Sequence, residues 1–393
     1  MSTDSAPTGT QLRIVDDLAQ IDAAAWNALL DAQAAPTPFM RHEYLQALQA
    51  SGSATRATGW APRLLTLWRD GRLAGGCALH VKSHSYGEYV FDWAWADAYQ
   101  RHGLRYYPKL LCAVPFTPVP GSRLLAGSLA DRRLLLQAMQ QLCRSGSMSS
   151  AHLLFMDAAD QQAAADEGWL LRQTVQFHWL NRQPQPYVDF GDFLAGLQRE
   201  KRKKIQQERR RVAEAGVEFT VHAGASIDTG LWDFFHQCYT LTYAAHHSTP
   251  YLSRDFFARM QQQMSANWVM FVAWRGGRRI ACSLLAVDAP RGHAYGRYWG
   301  CTEYLPCLHF EACYYQPLQW CIEQGYQRFE GGAQGEHKMA RGLLPVRTHS
   351  AHWLSHPAFA DAVARHLEHE GAGIDAYVDE LRERNPFKLD AGS

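Results

Sequence analysis

The chain has 393 residues, with 39 Lys and Arg against 38 Asp and Glu and a formal net charge of +1. That length exceeds one ordinary core, so two domains of roughly 150–200 residues are expected. Near-neutral charge argues against bulk nucleic-acid affinity and leaves room for a local basic patch only. Nine cysteines occur without a C-x-x-C pair. Cys301, Cys307, Cys313 and Cys321 are spaced unlike usual metal ligands, so they read as small buried hydrophobes in a reducing compartment, with no metal. The opening residues, MSTDSAPTGTQ, lack the basic start and apolar core of a signal peptide. No stretch approaches the ~20 apolar residues that span a bilayer. A cytoplasmic location is expected.

In chain order, residues 1–10 read as a disordered polar tail. Leu12 to Val15 is a short strand, and Ile21 to Leu30 a helix with Asp22 as its N-cap. A second helix runs from Arg41 to Ala50. Arg63 to Trp68 and Arg72 to Val81 form a hairpin about Asp70-Gly71, a favoured two-residue turn. The next stretch, SHSYGEYVFDWAWADAYQRHGLRYYPKLLCAVPFTPVPGSRLL, is dense in rings and has no clean period. It either walls a cleft by stacking or is a packed irregular loop, and Glu88, Asp92, His102 and Lys109, interleaved among the rings, favour the cleft wall. Asp131 to Arg144 is an amphipathic helix, followed by a strand at His152 to Phe155, a helix at Gln161 to Glu167 and a strand at Leu171 to Trp179.

Pro184 and Pro186 mark a linker, which divides the chain into domains at 11–182 and 187–388. The second opens with a helix over 193–215 that carries eight Lys/Arg against two Glu between Arg199 and Arg211. Such clustering on a near-neutral chain suits equally a solvated helix face and a phosphate-bearing partner, the latter with Lys201, Lys203 and Lys204 as contacts. A strand (Val217 to Val221), two helices (Leu231 to Ala245 and Arg254 to Met264) and a hairpin about Gly276-Gly277 follow. The second half thus repeats the first in order: strand, two helices, hairpin, aromatic segment, helix, strand. Helices at 357–370 and 374–384 close the chain.

The stretch the chain is organised around is 295–353. An aromatic strand from Tyr295 to Trp299 leads through a turn to a helix from about His309 to Gln324, stopped by Gly325. After Phe329 and Glu330, Gly331-Gly332 open a loop bearing Gln334, Glu336, His337, Lys338 and Arg341. Four glycines and five polar groups within twelve residues are a poor way to build a core. They suit a backbone that approaches a polar or anionic ligand closely.

The order of elements resembles the GNAT acyltransferase fold, and two copies in tandem resemble the FemA/FemB-type peptidoglycan aminoacyltransferases. More narrowly, YYPKLLCAVPFTPVPG, REKRKKIQQERRRV, GRYWGC, HFEACYYQ and FEGGAQGEHKMARG are similar to a bacterial group of FemAB-like N-acyltransferases, over about residues 12 to 388. The resemblance implies an α/β (α+β) fold of two tandem GNAT-like domains. It also implies a functionally important lysine after the helix–Gly–strand–Gly-Gly segment, a position held here by Lys338. The spacing between those glycines and the lysine is usually longer and less polar in the family. The R/Q-x-x-G-x-G/A pyrophosphate motif of CoA enzymes is only partly matched by Arg72 to Cys77, in a hairpin strand rather than before a helix.

Acyl transfer to an amine requires a base, donors to a tetrahedral oxyanion, and neutralisation of the leaving group. Glu311, Glu330, Glu336, His309 and His337 are candidate bases. Lys338, Arg341 and the backbone N–H groups of Gly331 to Gly335 are candidate oxyanion or phosphate donors. Tyr295, Arg297 and Trp299, read as one strand face, join Gly331, Gly332, Arg341, Asp92 and Lys109 as substrate contacts. The leading expectation is an acyl- or aminoacyl-transferase acting on an amine of a cell-wall-like precursor. No bound cofactor is expected, and the acyl donor would be acyl-CoA or an aminoacyl-tRNA. The alternatives are a CoA-dependent small-molecule N-acetyltransferase and a non-catalytic glycan or peptidoglycan recognition protein. The sequence carries no signal of oligomeric state.

Overall fold

The computed structural model describes residues 9–333 and 335–388. The expected tail lies, but for two residues, outside the described residues, as does Gln334. In chain order the elements are β1 (Thr10–Val15), α1 (Ala23–Asp31), α2 (His42–Ala50), β2 (Trp60–Pro62), β3 (Leu64–Arg69), β4 (Arg72–Cys77), β5 (Leu79–Lys82), α3 (Trp93–Arg101), β6 (Lys109–Cys112), β7 (Leu125–Ala126), α4 (Leu129–Ser145), β8 (Ser150–Met156), α5 (Ala158–Asp166) and β9 (Leu170–Leu180). Then come α6 (Phe190–Gly196), α7 (Arg199–Glu214), β10 (Val217–Ala223), α8 (Thr229–Ala245), α9 (Arg254–Gln263), β11 (Trp268–Arg275), β12 (Arg278–Asp288) and β13 (His293–Cys301). Helix α10 begins at Leu308–Phe310, passes through a π turn at Glu311–Tyr315 and resumes over Gln316–Glu323. Strands β14 (Arg328–Ala333) and β15 (Leu344–Leu354) and helix α11 (Pro357–Glu383) complete the chain.

Local chemistry explains many of these boundaries. Asp22 accepts from the Ala25 N–H at 2.7 Å, and Ser128, Asp157, Asp189, Asp228 and Ser253 cap later helices in the same way. Gly276 and Gly277 both adopt positive φ (54° and 73°), as a two-residue hairpin turn with the twist of its strands requires. Gly325, at φ 71°, stops α10 in the left-handed conformation. Two expectations are corrected. The helix expected over 193–215 is broken between α6 and α7, because backbone there pairs elsewhere. The Gln198 N–H bonds to the Pro386 carbonyl at 2.8 Å, and the Lys388 N–H to that of Gly196 at 2.9 Å. Conversely, the two closing helices are one, since Gly371 and Gly373 weaken a helix without ending it.

The chain forms two compact units, Met1–Thr174 with Arg347–Asp375 and Val175–Val346 with Ala376–Ser393. The proline linker therefore lies inside the second unit. Strand pairing sets the division: Gln176 to Leu180 of β9 pair with β14, and His349 to Leu354 of β15 return to pair with β8.

The first unit holds a four-stranded sheet in the order β1-β3-β4-β7, and a ladder in which β15, β8, β6, β5 and β2 neighbour one another in turn. Within that ladder β6 and β8 are parallel, and α4 lies between them in the chain. The core gathers Leu79, Cys112, Leu135, Leu136, Met139 and Leu153. The later part of the ring-rich stretch is core rather than cleft wall, since all but one residue from Lys109 to Ala126 is buried, whereas Tyr86, Phe91 and Trp93 before it are exposed. Lys109 and Asp92 are buried with it. The Lys109 ammonium donates to Glu88 and Ser85, both at 2.8 Å, and to Asp92, whose carboxylate also takes the Tyr106 hydroxyl at 2.6 Å. Lys82 lies 3.9 Å from Glu88 and 3.4 Å over the Trp60 ring. Burial pulls Lys82 down to about 7 and pushes Glu88 up to about 7.

No helix among the described residues is long and apolar enough to cross a membrane. Lys109→Met would leave Glu88 and Asp92 buried with Lys82 as the nearest cation. The expected loss is about 3–5 kcal/mol, read from urea unfolding at pH 7.

Candidate active site

The candidate site is built in the second unit, where β10, β11, β12, β13, β14 and β9 neighbour one another in that order. Strands β13 and β14 are parallel, and they pair only at His293–Arg328, Ala294–Phe329 and Tyr295–Glu330. Beyond that point β13 continues along β12 to Cys301, while β14 continues through Gly331-Gly332. The two strands part, and the glycines sit where they part. Gly332 has φ 79°. A Cβ on Gly331 would lie 2.5 Å from Leu343 Cδ2 and 3.1 Å from Lys338 Cδ, so only glycine lets the lysine stem cross the strand here.

A 3-10 turn at Glu336–Arg341 follows, bounded by Gly335 (φ 105°) and Gly342 (φ 84°). It turns Lys338 inward. The Lys338 ammonium is buried and donates to the Gly332 carbonyl at 3.1 Å. Burial pulls its pKa down to about 8. Arg341, also buried, donates to the His337 carbonyl at 2.7 Å and to Glu208 at 2.9 Å. Its guanidinium lies 3.5 Å from the centre of the Phe310 ring. Glu208, on α7, accepts the Tyr315 hydroxyl as well. His337 is within 3.1 Å of the Tyr314 hydroxyl through Nε2. Its pKa is lowered by partial burial and then by Arg341 and Lys338.

The π turn of α10 supplies Tyr314, Tyr315 and, just before it, Phe310 to this cluster. Such turns are rare and recur at functional sites. The Ser283 hydroxyl, from β12, donates to the Ala312 carbonyl inside it.

The structure brings together Lys338, His337, Arg341, Gly331 and Gly332. It separates others. Glu336 is exposed and bonds Tyr377 at 2.8 Å and Arg384 at 3.3 Å. His309, by contrast, stays beside the cluster, packed against Trp299 and Tyr314, with burial and then the charges of His337, Arg341 and Lys338 pulling it down to about 4. Glu330 pairs with Arg328 at 3.1 Å. Glu311 is buried toward α7, accepting from Arg209 at 3.1 Å and Gln316 at 2.8 Å. Tyr295, Arg297 and Trp299 do not share a face. Leu284 pairs with Tyr298 and Leu285 with Gly296, which leaves Arg297 as the extra residue of a bulge. A bulge shifts the alternation by one, so Tyr295 and Trp299 face opposite ways. Arg297 donates to the Tyr298 hydroxyl at 2.8 Å. Asp92 and Lys109 belong to the internal network of the first unit. On α7, Lys203 and Lys204 are exposed and Lys201 half-buried, while Ile205, Glu208 and Val212 face inward. Glu208 was missed as a site residue. Its signal was a lone acid at helical spacing between two apolar residues in a basic run.

Known proteins can be set beside this geometry. A family model for FemAB-like proteins, described as peptidoglycan biosynthesis/recognition, matches residues 17–389. The chain belongs to the FemAB-like family. A search of curated proteins finds no match. Among solved structures, the FemAB-like chain is similar to FemX (10% identity, TM-score 0.53, covering 88% of this chain and 98% of that one). It is also similar to the C-terminal domain of a putative lysylphosphatidylglycerol synthetase from Agrobacterium fabrum (14%, 0.53, 88% and 95%). A third is L-PGS from Bacillus licheniformis (12%, 0.52, 88% and 96%). At these identities the likeness is one of fold, and the fold is the mixed α/β, tandem GNAT-like one.

The lysine at the centre of this FemAB-like site has a stability signature. With its folded pKa near 8 against an ordinary 10.5, the unfolded chain binds the extra proton between those values. Wild-type stability therefore rises with pH from about 8 to 10.5. Lys338→Met removes the buried charge. The variant should be at least as stable as wild type at pH 7, with its advantage shrinking by pH 10, as read by urea unfolding at both.

Proposed function

We propose that this FemAB-like chain is an N-acyltransferase that moves an acyl or aminoacyl group from an activated donor to an amine of a peptidoglycan-precursor-like acceptor. The observation that carries this reading is the buried ammonium of Lys338, held on a glycine backbone where two parallel strands part. A carbonyl entering that notch would meet a fixed positive charge and backbone N–H groups, which favour the oxyanion of a tetrahedral intermediate. The acceptor amine forms the new C–N bond and gives up a proton, for which His337 is the acceptor at hand. Collapse of the intermediate breaks the donor's C–O or C–S bond, and the leaving atom takes a proton.

The donor in this reading is an aminoacyl-tRNA or another phosphate-bearing acyl carrier. The outward Lys203 and Lys204, with half-buried Lys201, offer charge for phosphates, while the inward Glu208 of the same helix ties it to Arg341. Acyl-CoA is less well served, since Gly331-Gly332 lead into a short turn rather than a helix whose N-terminus could hold a pyrophosphate. The family description, peptidoglycan biosynthesis/recognition, supports a cell-wall acceptor. A recognition protein without turnover accounts less well for a lysine buried in this position. The reading places the protein in the cytoplasm, where such donors are made.

Two outcomes test the reading. Lys338→Met should lower turnover by about 10²–10³, measured as amide formation with purified aminoacyl-tRNA and an amine acceptor. Retention of near-wild-type turnover would remove the lysine from the reaction. Reversing charge at Lys201, Lys203 and Lys204 should weaken donor binding and flatten its salt dependence, as read by filter binding across a salt series. Affinity indifferent to both would leave α7 a solvated face.

A further inference from the structure

The turn that carries Lys338 is a weak structure by itself. It spans Glu336–Arg341, and 3-10 hydrogen bonds are poorly aligned. Gly335 and Gly342 bound it, both in the left-handed region, and glycines at both ends leave the segment free to take other paths. Something outside the turn must fix it. Glu336 is exposed and so fixes little, whereas Met339 packs into the core of the second unit and Arg341 forms a buried ion pair.

The partner in that pair is Glu208 of α7. The two side chains are only 4% (Arg341) and 9% (Glu208) exposed. One oxygen of Glu208, Oε2, takes the Arg341 Nη2 at 2.9 Å and the Tyr315 hydroxyl as well. The other terminal nitrogen of Arg341, Nη1, donates to the His337 carbonyl at 2.7 Å. The guanidinium thus spans two anchors. One is a helix outside the turn, and the other is the backbone carbonyl immediately before Lys338. The face of the Phe310 ring, 3.5 Å away, restricts its swing. Desolvation offsets most of the attraction in such a buried pair, which leaves orientation as what it contributes.

We infer that Glu208 is a positioning residue for the transfer proposed above: through Arg341 it holds the Lys338 ammonium beside the parting of β13 and β14. Glu208 itself touches no reacting atom. What Lys338 does there rests on the transfer reading, whereas how it is held does not. A neighbouring pair on the same two helices supplies the contrast. Arg209 of α7 donates to Glu311 of the π turn at 3.1 Å and to Gln319 at 3.0 Å. It therefore ties α7 to α10, as Glu208 does through Tyr315, but among the described residues it bonds nothing in the Lys338 turn. A role confined to packing the two helices would make Glu208 and Arg209 equivalent. A positioning role makes them differ at Lys338.

The test is a set of double-mutant cycles on the full-length protein, read by urea unfolding at pH 7 and pH 10. In wild type the effect of Lys338→Met on the unfolding midpoint differs between the two pH values, because the ammonium is buried. In a Glu208→Ala background the turn is released and Lys338 reaches water, so that difference should fall by about half or more. In an Arg209→Ala background it should persist. Glu208→Gln keeps the volume and one acceptor oxygen, so it reads out if Glu208→Ala folds poorly, and its loss should be intermediate. Amide formation is the second readout. Glu208→Ala should lower kcat about ten-fold or more with KM within about three-fold, and Arg209→Ala should leave kcat within about three-fold of wild type. An undiminished Lys338→Met difference in both Glu208 variants, or its equal loss with Arg209→Ala, would overturn the inference. The expected cycles without any transfer activity would sink the transfer reading and leave the hold of Glu208 on Lys338 standing.

Discussion

A buried carboxylate on a basic helix holds the candidate site together. Glu208 accepts from Arg341 and from the Tyr315 hydroxyl, so a single side chain of α7 fixes both the 3-10 turn that carries Lys338 and the π turn of α10. Arg341 in turn bonds the His337 carbonyl and lies against Phe310. Removing one partner of such a pair exposes the other charge to a medium that cannot solvate it, a penalty of about 3–5 kcal/mol. The pair is thus better understood as setting a geometry than as adding stability. Glu208 shares its helix with Lys201, Lys203 and Lys204, so one helix carries both the outward basic face and the anchor of the Lys338 turn.

The second constraint is the parting of β13 and β14. Parallel strands that stay paired leave no room between them. Here pairing stops at Tyr295 and Glu330, just where the bulge at Arg297 re-aims β13 and Gly331-Gly332 turn β14 aside. Bulges commonly sit beside functional sites because they redirect a strand without ending it. Beside that parting lie glycine backbone and the buried ammonium of Lys338, groups that would polarise a carbonyl in the transfer we propose.

Much of this architecture was legible in the sequence because its determinants are local. Asp22 as a cap, Gly276-Gly277 as a turn and Gly325 as a helix stop each follow from one residue's chemistry. The glycine density of 331–342 likewise drew attention to Lys338 and Arg341, while the family resemblance supplied the tandem fold. What escaped depends on distant partners. The break between α6 and α7 exists because residues 386–388 bond there, and the bulge at Arg297 is a register event against β12. Asp92 and Lys109 read as cleft residues because burial of a compensated ion pair leaves no local mark. Glu208 was hidden by the basic residues around it.

The most direct measurement is a structure of the protein with a non-hydrolysable aminoacyl-tRNA 3′-end analogue. The account predicts the analogue's carbonyl oxygen within about 3 Å of Lys338 Nζ, between Gly331 and the departing edge of β13. An analogue bound with its carbonyl away from Lys338, or with the ammonium of Lys338 still on the Gly332 carbonyl and not on the analogue, would contradict it.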